Sequence, residues 1–272
     1  MDRDKPMRVI VRGAGDLATG VIQKLYHAGF LVYVTETERP TAVRRAASLS
    51  EAVYDGEVTV EDITAVKADS LEQARAILAN KKVPILIDPE FRYLKDIDPV
   101  AIIDAVIAKK NIGMSKDMAP ITIALGPGFT AGVDCDVVIE TMRGHNLGRL
   151  IFEGNAIPNT GSPGDIGGRA IERVLRAPHD GTVHLIRSIG DTVETGDLVM
   201  TVDDSEVTAP FPGVVRGLIR DNFEVTKGFK IGDIDPRCEE VDNCCTISDK
   251  ARALGGAVID AMIRLFRQKN MC

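Results

Sequence analysis

Two glycines and an alanine near the start of the chain have the spacing of a turn that binds phosphate groups. Gly13, Gly15 and Ala18 follow an apolar run and precede a helical pattern. Gly13 allows a tight turn, Gly15 has no side chain to keep a phosphate away, and Ala18 lets the helix touch the strand. The N–H groups at the start of that helix would point at the anion. This order of strand, turn and helix predicts a nucleotide-phosphate site.

An acidic residue at the end of the next strand supports the same interpretation. The apolar run at 30–34 is followed by Glu36, and an acid about 20 residues past such glycines holds a ribose hydroxyl in a Rossmann unit. Such glycines also serve ordinary strand-to-helix turns, and this alternative stays open here. The predicted cofactor-binding residues are Gly13, Gly15, Asp16, Ala18, Thr19, Glu36, Gly126, Gly128 and Arg143.

Two later loops also follow predicted strands, where ligands gather in open α/β sheets. They are 88–90 and 126–129, the second of which contains Gly126 and Gly128. Glycines there free the backbone to approach a ligand closely. Turns before a domain boundary also favour Gly and Pro, so a functional and a structural role are both open.

A later segment contains the residue types that bind anions and transfer protons. Arg143 can contact a phosphate or carboxylate through two N–H groups, and His145 can exchange a proton near neutral pH. Arg143 and His145 are the only catalytic candidates, and a structural hydrogen bond is the alternative role of His145. Anion binding by Arg143 and Arg149 is the favoured interpretation of this segment.

Composition excludes several classes of protein. The chain of 272 residues has a formal net charge of -7 and no pronounced cluster of Lys and Arg, which argues against nucleic acid as a partner. We expect no membrane span and no signal peptide, and therefore a cytoplasmic protein. The clustered Cys238, Cys244 and Cys245 lack the paired spacing of zinc ligands, so no metal site is predicted and reduced thiols are expected.

Strand and helix patterns alternate from Met7 to about Leu125. Strands are predicted at 7–12, 30–34, 57–60, 83–87 and 121–124, and helices at 16–28, 70–80 and 98–110. The last helix is predicted from Asp98 as its N-cap and Pro99 in its first turn. Such alternation predicts a Rossmann-like α/β domain with a mostly parallel sheet.

An internal repeat follows. The sequence 177–183 is echoed by 209–215, and the echo continues to Asp203 and Asp235. Two such copies of short strands are expected to interlock into a small all-β barrel-sandwich domain that resembles the lipoyl and biotinyl carriers. The carrier lysine is missing, because alignment on Thr208-Ala209-Pro210 places Val202 at its position. A structural or docking role is therefore expected for this domain.

The predicted organisation has four parts. A Rossmann-like nucleotide-binding domain at 1–125 is followed by a glycine-rich connecting segment at 126–173 and the barrel-sandwich domain at 174–237. The last part, 238–272, contains an amphipathic helix expected to pack back on the first domain, with Gly255 and Gly256 indicating a close helix contact.

Four motifs in order resemble the YqeB-like family, over almost the whole chain. They are 11–20 around the glycine turn, Glu38 to Arg45, Leu125 to Phe129, and Glu140 to His145. Members of this family are described as maturation proteins of selenium-dependent molybdenum hydroxylases. The resemblance implies a cytoplasmic accessory protein, related in theme to XdhC-like chaperones that handle the molybdenum cofactor, with the hydroxylase as its partner.

Several functions follow from these expectations. The leading hypothesis is a maturation protein that binds a molybdopterin dinucleotide through the glycine turn and Glu36. The alternatives are an NAD(P)-dependent oxidoreductase with Arg143 and His145 as substrate groups, and an interaction protein with a vestigial nucleotide site. The ligand is in each case a nucleotide-type small molecule. Under the first hypothesis the three clustered cysteines are weak candidates for selenium chemistry.

Overall fold

The computed structural model describes residues 7–159, 161, 164 and 168–271, which form two compact units. Unit 1 contains 7–40, 49–159 and 247–271, and unit 2 contains 41–48 and the described part of 161–246. Positions 1–6, 160, 162–163, 165–167 and 272, which include part of the predicted connecting segment, lie outside the described residues. Among the described helices, none is long and apolar enough to cross a membrane.

In its described residues, unit 1 contains eleven strands and five α-helices. The strands β1 to β11 are, in order, Arg8–Arg12, Leu31–Glu36, Glu57–Val60, Ile63–Ala68, Val83–Ile87, Ala101–Asp104, Ile121–Leu125, Thr130–Ala131, Val137–Ile139, Leu150–Ile151 and Gly154–Asn155. The helices α1 to α5 are Asp16–His27, Ala52–Asp55, Leu71–Ala79, Leu94–Ile97 and Asp249–Gln268.

Nine of these strands form one sheet in the order β10-β9-β7-β6-β1-β2-β5-β4-β3. The seven strands from β9 to β4 pair in parallel, whereas β10 and β3 are antiparallel edge strands. One face of the sheet packs against α1 and α5, and the other face packs against α3 and the loops around Phe91 and Phe129. The core therefore lies in two layers on either side of β1.

The predicted fold class is wrong for both of its parts. In a Rossmann unit the strands after β1 and β2 continue outward in chain order, but here β5 lies between β2 and β4. The chain thus moves back toward the centre from β4 to β5, and the connecting helix α3 packs on the face opposite α1. Unit 1 is a large mixed sheet, and unit 2 consists of separate antiparallel sheets.

The helix predicted at 98–110 is also wrong. Asp98 ends the short helix α4 in a left-handed conformation with φ 48°, and Ala101–Asp104 forms the central strand β6, buried along its whole length. A short apolar run is compatible with a buried strand or a buried helix, and pairing with β1 and β7 selects the strand. This correction places Asp104 at the carboxyl edge of the sheet.

Unit 2 contains two four-stranded antiparallel sheets, β12-β19-β17-β14 and β16-β15-β13-β18. The strands β12 to β19 are Val174–Arg176, Gly181–Leu185, Thr192–Val193, Leu198–Val202, Ser205–Thr208, Gly213–Leu218, Glu224–Val225 and Lys230–Asp235. The sequence repeat is visible in this order, since β13, β14 and β15 correspond to β17, β18 and β19. Both sheets contribute to one hydrophobic cluster.

Helices α1 and α5 of unit 1 approach each other through glycine. A Cβ atom added at Gly20 would lie 2.5 Å from the Ala251 carbonyl oxygen, and one added at Gly255 would lie 2.5 Å from the Gly20 carbonyl oxygen. The backbones of the two helices are therefore in direct contact. At Gly256 an added Cβ would meet no described atom within 4 Å.

These neighbouring glycines make a matched test of the helix contact. Gly255→Ala should lower the free energy of unfolding by about 1–3 kcal/mol, because the added methyl group collides with backbone that has no room to move. Gly256→Ala should instead raise it by about 0.5–1 kcal/mol, the helix-propensity gain at an open position. Denaturant unfolding of the two variants measures both changes, and equal effects would contradict the close contact.

Candidate functional site

The carboxyl edge of the unit 1 sheet brings together most of the predicted site residues. The strand order changes direction between β1 and β6. The next strand after β1, β2, lies on one side of this point, and the next strand after β6, β7, lies on the other side. Ligands of open α/β sheets bind at such a switch point, outside the carboxyl ends of the strands. The glycine turn follows β1, Gly126 follows β7 and Glu140 follows β9.

Arg12 fixes the loops at this edge. Its guanidinium donates to the Pro89 carbonyl at 2.7 Å and to the Ile112 carbonyl at 3.0 Å, and pairs with Asp104 at 3.3 Å. It also lies 5.0 Å from the ring centre of Phe91. Arg12 and Asp104 are both buried, so Arg12 positions the loops and does not face a ligand. Burial raises the pKa of Asp104, although Arg12 and the Val106 N–H oppose the shift.

Both carboxylate oxygens of Glu36 already accept N–H groups of the protein backbone. One oxygen accepts the Ala14 N–H at 2.8 Å, and the other accepts the Thr37 N–H at 2.8 Å. The Gly13 N–H donates to the Thr35 carbonyl at 2.8 Å. Burial raises the pKa of Glu36, and the two N–H bonds oppose it. The glycine turn is therefore closed from within, and two of its amides are already used.

Gly15 is the N-cap residue of α1 and, having no side chain, makes no capping hydrogen bond. A Cβ atom added at Gly15 would meet no described atom within 4 Å. Ala18 is buried in the core. Thr19 is structural, because its hydroxyl donates to the Gly15 carbonyl at 2.9 Å and accepts the Leu49 N–H at 3.0 Å.

The two glycines after β7 have structural reasons for their conformation. Gly126 has φ 81°, and an added Cβ would lie 2.7 Å from the Thr141 hydroxyl oxygen. Gly128 has φ 107°, and an added Cβ would collide with the backbone of Lys110. Both positions therefore require glycine for packing of unit 1 itself, and ligand binding through them stays a prediction.

Arg143 forms a bidentate ion pair with Asp249 in the first turn of α5, at 2.6 and 2.7 Å. The second acid in this area, Glu140, is buried and accepts the Met142 and Ile157 N–H groups at 2.7 and 2.8 Å. Both acidic groups thus have strong partners. His145 is exposed, and the described residues include no hydrogen-bond partner for its ring.

Lys250, which sequence analysis did not single out, is the unusual group at this edge. It is partly buried in the first turn of α5, and no ion pair or side-chain hydrogen bond joins its amine to another described residue. Burial lowers its pKa, and the charge of Arg143 lowers it further, while Asp16, Asp249 and Glu140 oppose the shift. The sequence signal that could have indicated Lys250 is its place directly after Ser248 and Asp249 at the start of a helix.

An open cleft of about 420 Å³ lies beside Glu140. Its polar side includes Asn146 and Arg149, and its apolar side includes Phe152 and Ile157. The volume is in the range of small-molecule sites. Arg149, predicted to bind an anion, therefore lines a cavity, whereas Arg143 is held by Asp249.

Cys244 lacks the surroundings of a reactive thiolate. Cys244 is buried in unit 2, and this burial raises its pKa, although nearby Arg44 opposes the shift. Activated thiols have lowered pKa values, so Cys244 is not a candidate. Cys238 and Cys245 are exposed. Across the described parts of the chain, no group of three or more His, Cys, Asp or Glu side chains is arranged to bind a metal ion.

Sequence comparison supports the predicted likeness to YqeB. The chain is 48% identical over 260 residues to the uncharacterised protein YqeB of Escherichia coli K12, which covers 96% of this chain and 48% of that protein. The chain thus spans about half the length of this relative. No protein-family profile matches the chain. The relative has no described role, so this likeness does not support a part in selenium or molybdenum chemistry.

Comparison with solved structures finds desuccinylases and aspartoacylases. An aspartoacylase family protein from Mesorhizobium loti is 14% identical, with 85% of each chain covered and a TM-score of 0.25. A succinylglutamate desuccinylase from a Silicibacter species is 14% identical, with 84% of each chain covered and a TM-score of 0.25. Likenesses at this TM-score assign neither a fold nor an activity to this chain.

The functional predictions need correction. The matched structures are an aspartoacylase family protein and a succinylglutamate desuccinylase, and neither description names molybdenum-cofactor maturation or an NAD(P)-dependent oxidoreductase. The structure adds a physical reason, since Glu36 and two turn amides are bound within the protein. We therefore withdraw the maturation protein, the NAD(P)-dependent oxidoreductase and the interaction protein with a vestigial nucleotide site.

Proposed function

We propose that unit 1 binds a small organic anion at the carboxyl edge of its sheet, with Lys250 as the main cationic contact. The observation that carries this proposal is the partly buried amine of Lys250, which has no ion-pair partner within the described structure. The anion carries a carboxylate or a phosphate group. A cytoplasmic location is also part of this proposal.

The energetics of Lys250 support an anionic ligand. A positive charge that has lost water is costly unless a counter-charge replaces the lost hydration. Asp249 is already bound by Arg143, and Glu140 by two N–H groups. A ligand carboxylate or phosphate would supply the missing partner.

The surroundings of α1 supply further donors. Its N-cap residue Gly15 contributes no side-chain cap, and the N–H groups at the start of a helix favour an anion. Ser50 is buried beside the turn, where its N–H donates to the Ala14 carbonyl at 2.9 Å. Its hydroxyl has no partner in the described structure, so it is available to a ligand or to water.

The cleft beside Glu140 can accommodate the remainder of the anion. Glu140 links the cleft to Lys250, since Glu140 lines the cleft and its charge acts on the Lys250 amine. Apolar side chains such as Phe152 and amide side chains such as Asn146 suit an organic ligand better than a bare inorganic ion. A small organic acid or ester fits this combination.

Binding titrations test the proposal. Isothermal calorimetry with succinate, 2-hydroxypropanoate and inorganic phosphate should detect binding to the wild-type protein. Lys250→Met should weaken that binding by about tenfold or more, the equivalent of about 1.4 kcal/mol, because the contact between opposite charges is lost.

Lys67→Met is the matched control for this titration. Lys67 is exposed on β4, next to the edge strand β3 of the same sheet. Its replacement should leave the affinity for the anion unchanged. Equal losses in the two variants would indicate general charge attraction. No binding of any of the three probes to the wild-type protein would overturn the proposed function.

A stability measurement separates a binding role of Lys250 from a structural one. Lys250→Met should raise the free energy of unfolding at neutral pH, since it removes a charge that the folded state disfavours. The folded-state pKa lies below the unfolded value of 10.5, so the folded protein binds fewer protons between the two values. Wild-type stability therefore rises with pH through the folded pKa, and the advantage of the variant shrinks toward pH 10.5.

Urea unfolding at a series of pH values, with Lys67→Met as the reference variant, measures this effect. The reference should stay within about 0.5 kcal/mol of the wild type, as exposed substitutions usually do. A Lys250→Met variant that is less stable than the wild type at neutral pH would show that the lysine serves the fold.

A further inference from the structure

Unit 2 contains a serine and a histidine that share a hydrogen bond and have no part in the anion site of unit 1. The Ser205 hydroxyl oxygen lies 2.9 Å from His179 Nε2, and the other ring nitrogen, Nδ1, lies 2.8 Å from the Asp180 carbonyl oxygen. Both His179 and Ser205 are half-buried. A hydroxyl, a base within hydrogen-bond distance and a third group that orients the base are the parts of an activated nucleophile.

The Asp180 carbonyl decides which ring nitrogen of His179 carries the hydrogen. A carbonyl oxygen only accepts hydrogen bonds, so Nδ1 is the donor in this contact. In the neutral ring Nε2 then has a free lone pair, and the Ser205 hydroxyl donates to it. The pair is therefore arranged to pass the serine proton to the imidazole, which is the general-base step that makes a hydroxyl nucleophilic.

Backbone hydrogen bonds fix both halves of this pair. Ser205 begins β16, directly after the tip of the β15–β16 hairpin. Asp203 in that tip is held to β13, because its N–H donates to the Thr182 carbonyl at 2.8 Å and its carboxylate accepts the Thr182 N–H at 3.0 Å. On the histidine side, the Asp180 carboxylate accepts the Lys227 N–H at 2.7 Å. Support of this kind holds a catalytic geometry in place before a substrate binds.

The internal repeat offers a comparison within the same chain. In its second copy, Phe211 corresponds to His179, and Arg237 corresponds to Ser205. Phe211 is buried in the hydrophobic cluster of unit 2, and the Arg237 guanidinium pairs with Asp235 at 2.8 Å. The second copy thus forms its strands β17 to β19 without a histidine and a serine at these positions. The hydrogen-bonded pair is therefore an addition to the first copy that the repeated strands do not require.

We propose that Ser205 Oγ is a nucleophile that accepts acyl groups from esters, with His179 as its general base. This activity goes beyond the proposed function of unit 1. The charges next to the pair restrict the substrate, because Asp204 and Glu206 flank Ser205, Asp180 follows His179, and all three acids are exposed. Negative charge around the nucleophile repels an anionic ester. The substrate class is therefore a small ester that is neutral or positively charged.

The reaction balances with the ester and water as its only reactants. Ser205 Oγ attacks the carbonyl carbon of the ester while the serine proton passes to His179 Nε2. The bond from that carbon to the ester oxygen then breaks, and the protonated imidazole gives its proton to the leaving oxygen, which departs as an alcohol. Water attacks the acyl serine in the same way, which releases a carboxylic acid and restores the hydroxyl.

Two neutral probes test this inference on the full chain at neutral pH. Release of p-nitrophenolate from p-nitrophenyl acetate measures the rate. A neutral fluorophosphonate, from which a serine oxygen displaces fluoride to leave a stable adduct, identifies the nucleophile by intact mass spectrometry and peptide mapping. We expect the adduct at Ser205. Ser205→Ala should lose it, and Ser188→Ala, which replaces an exposed serine of the same unit, should keep it.

Two histidine variants separate a catalytic role from a structural one. His179→Gln should lower the rates of ester cleavage and of Ser205 labelling by about 100-fold or more, because an amide can accept the hydrogen bond but cannot take up the proton. His179→Phe, which introduces the residue of the second copy, should cause the same loss. Urea unfolding of both variants shows that they remain folded.

Several results would overturn the proposal. They are an unlabelled Ser205 in the wild-type protein, labelling of Ser205 no faster than that of Ser188, and equal rates in the wild type and a folded His179 variant. Faster cleavage of an ester that carries a carboxylate than of p-nitrophenyl acetate would overturn the proposed substrate class. The calorimetric titrations of unit 1 are separate from these measurements, so either proposal can fail alone.

Discussion

The carboxyl edge of the unit 1 sheet depends on one buried cation. Arg12 ends the central strand β1 and ties the loops after β5 and β6 to it through Pro89, Ile112 and Asp104. Removing one partner of such a buried pair costs about 3–5 kcal/mol, since the other charge is left uncompensated. The Arg12 guanidinium therefore holds together the loops that follow β5 and β6 at this edge.

The direct contact between α1 and α5 is the second constraint, and it decides where Lys250 lies. Gly20 and Gly255 allow the two backbones to touch, so the first turn of α5 lies close enough to α1 for Asp16 to act on Lys250. A larger residue at Gly20 or Gly255 would push the two helices apart. Close packing thus gives Lys250 an electrostatic environment that neither helix provides alone.

Local patterns predicted elements well, and long-range pairing decided the rest. The strand Glu57–Val60 and the helix α1 lie where their patterns predict them, because turn residues and periodicity act within a few positions. The strand β6 was mistaken for a helix, since only its neighbours β1 and β7 distinguish the two. The environment of Lys250 depends on residues from three separate segments, and no local pattern contains that information.

Glu36 shows how one residue at the expected spacing can have a different use. Its carboxylate binds Ala14 and Thr37, so the turn that would hold a pyrophosphate has lost amide donors to the protein itself. The start of α1 still presents N–H groups that favour a negative charge. The anion site proposed for unit 1 therefore relies on this helix start and on Lys250 of α5, and not on the glycine turn.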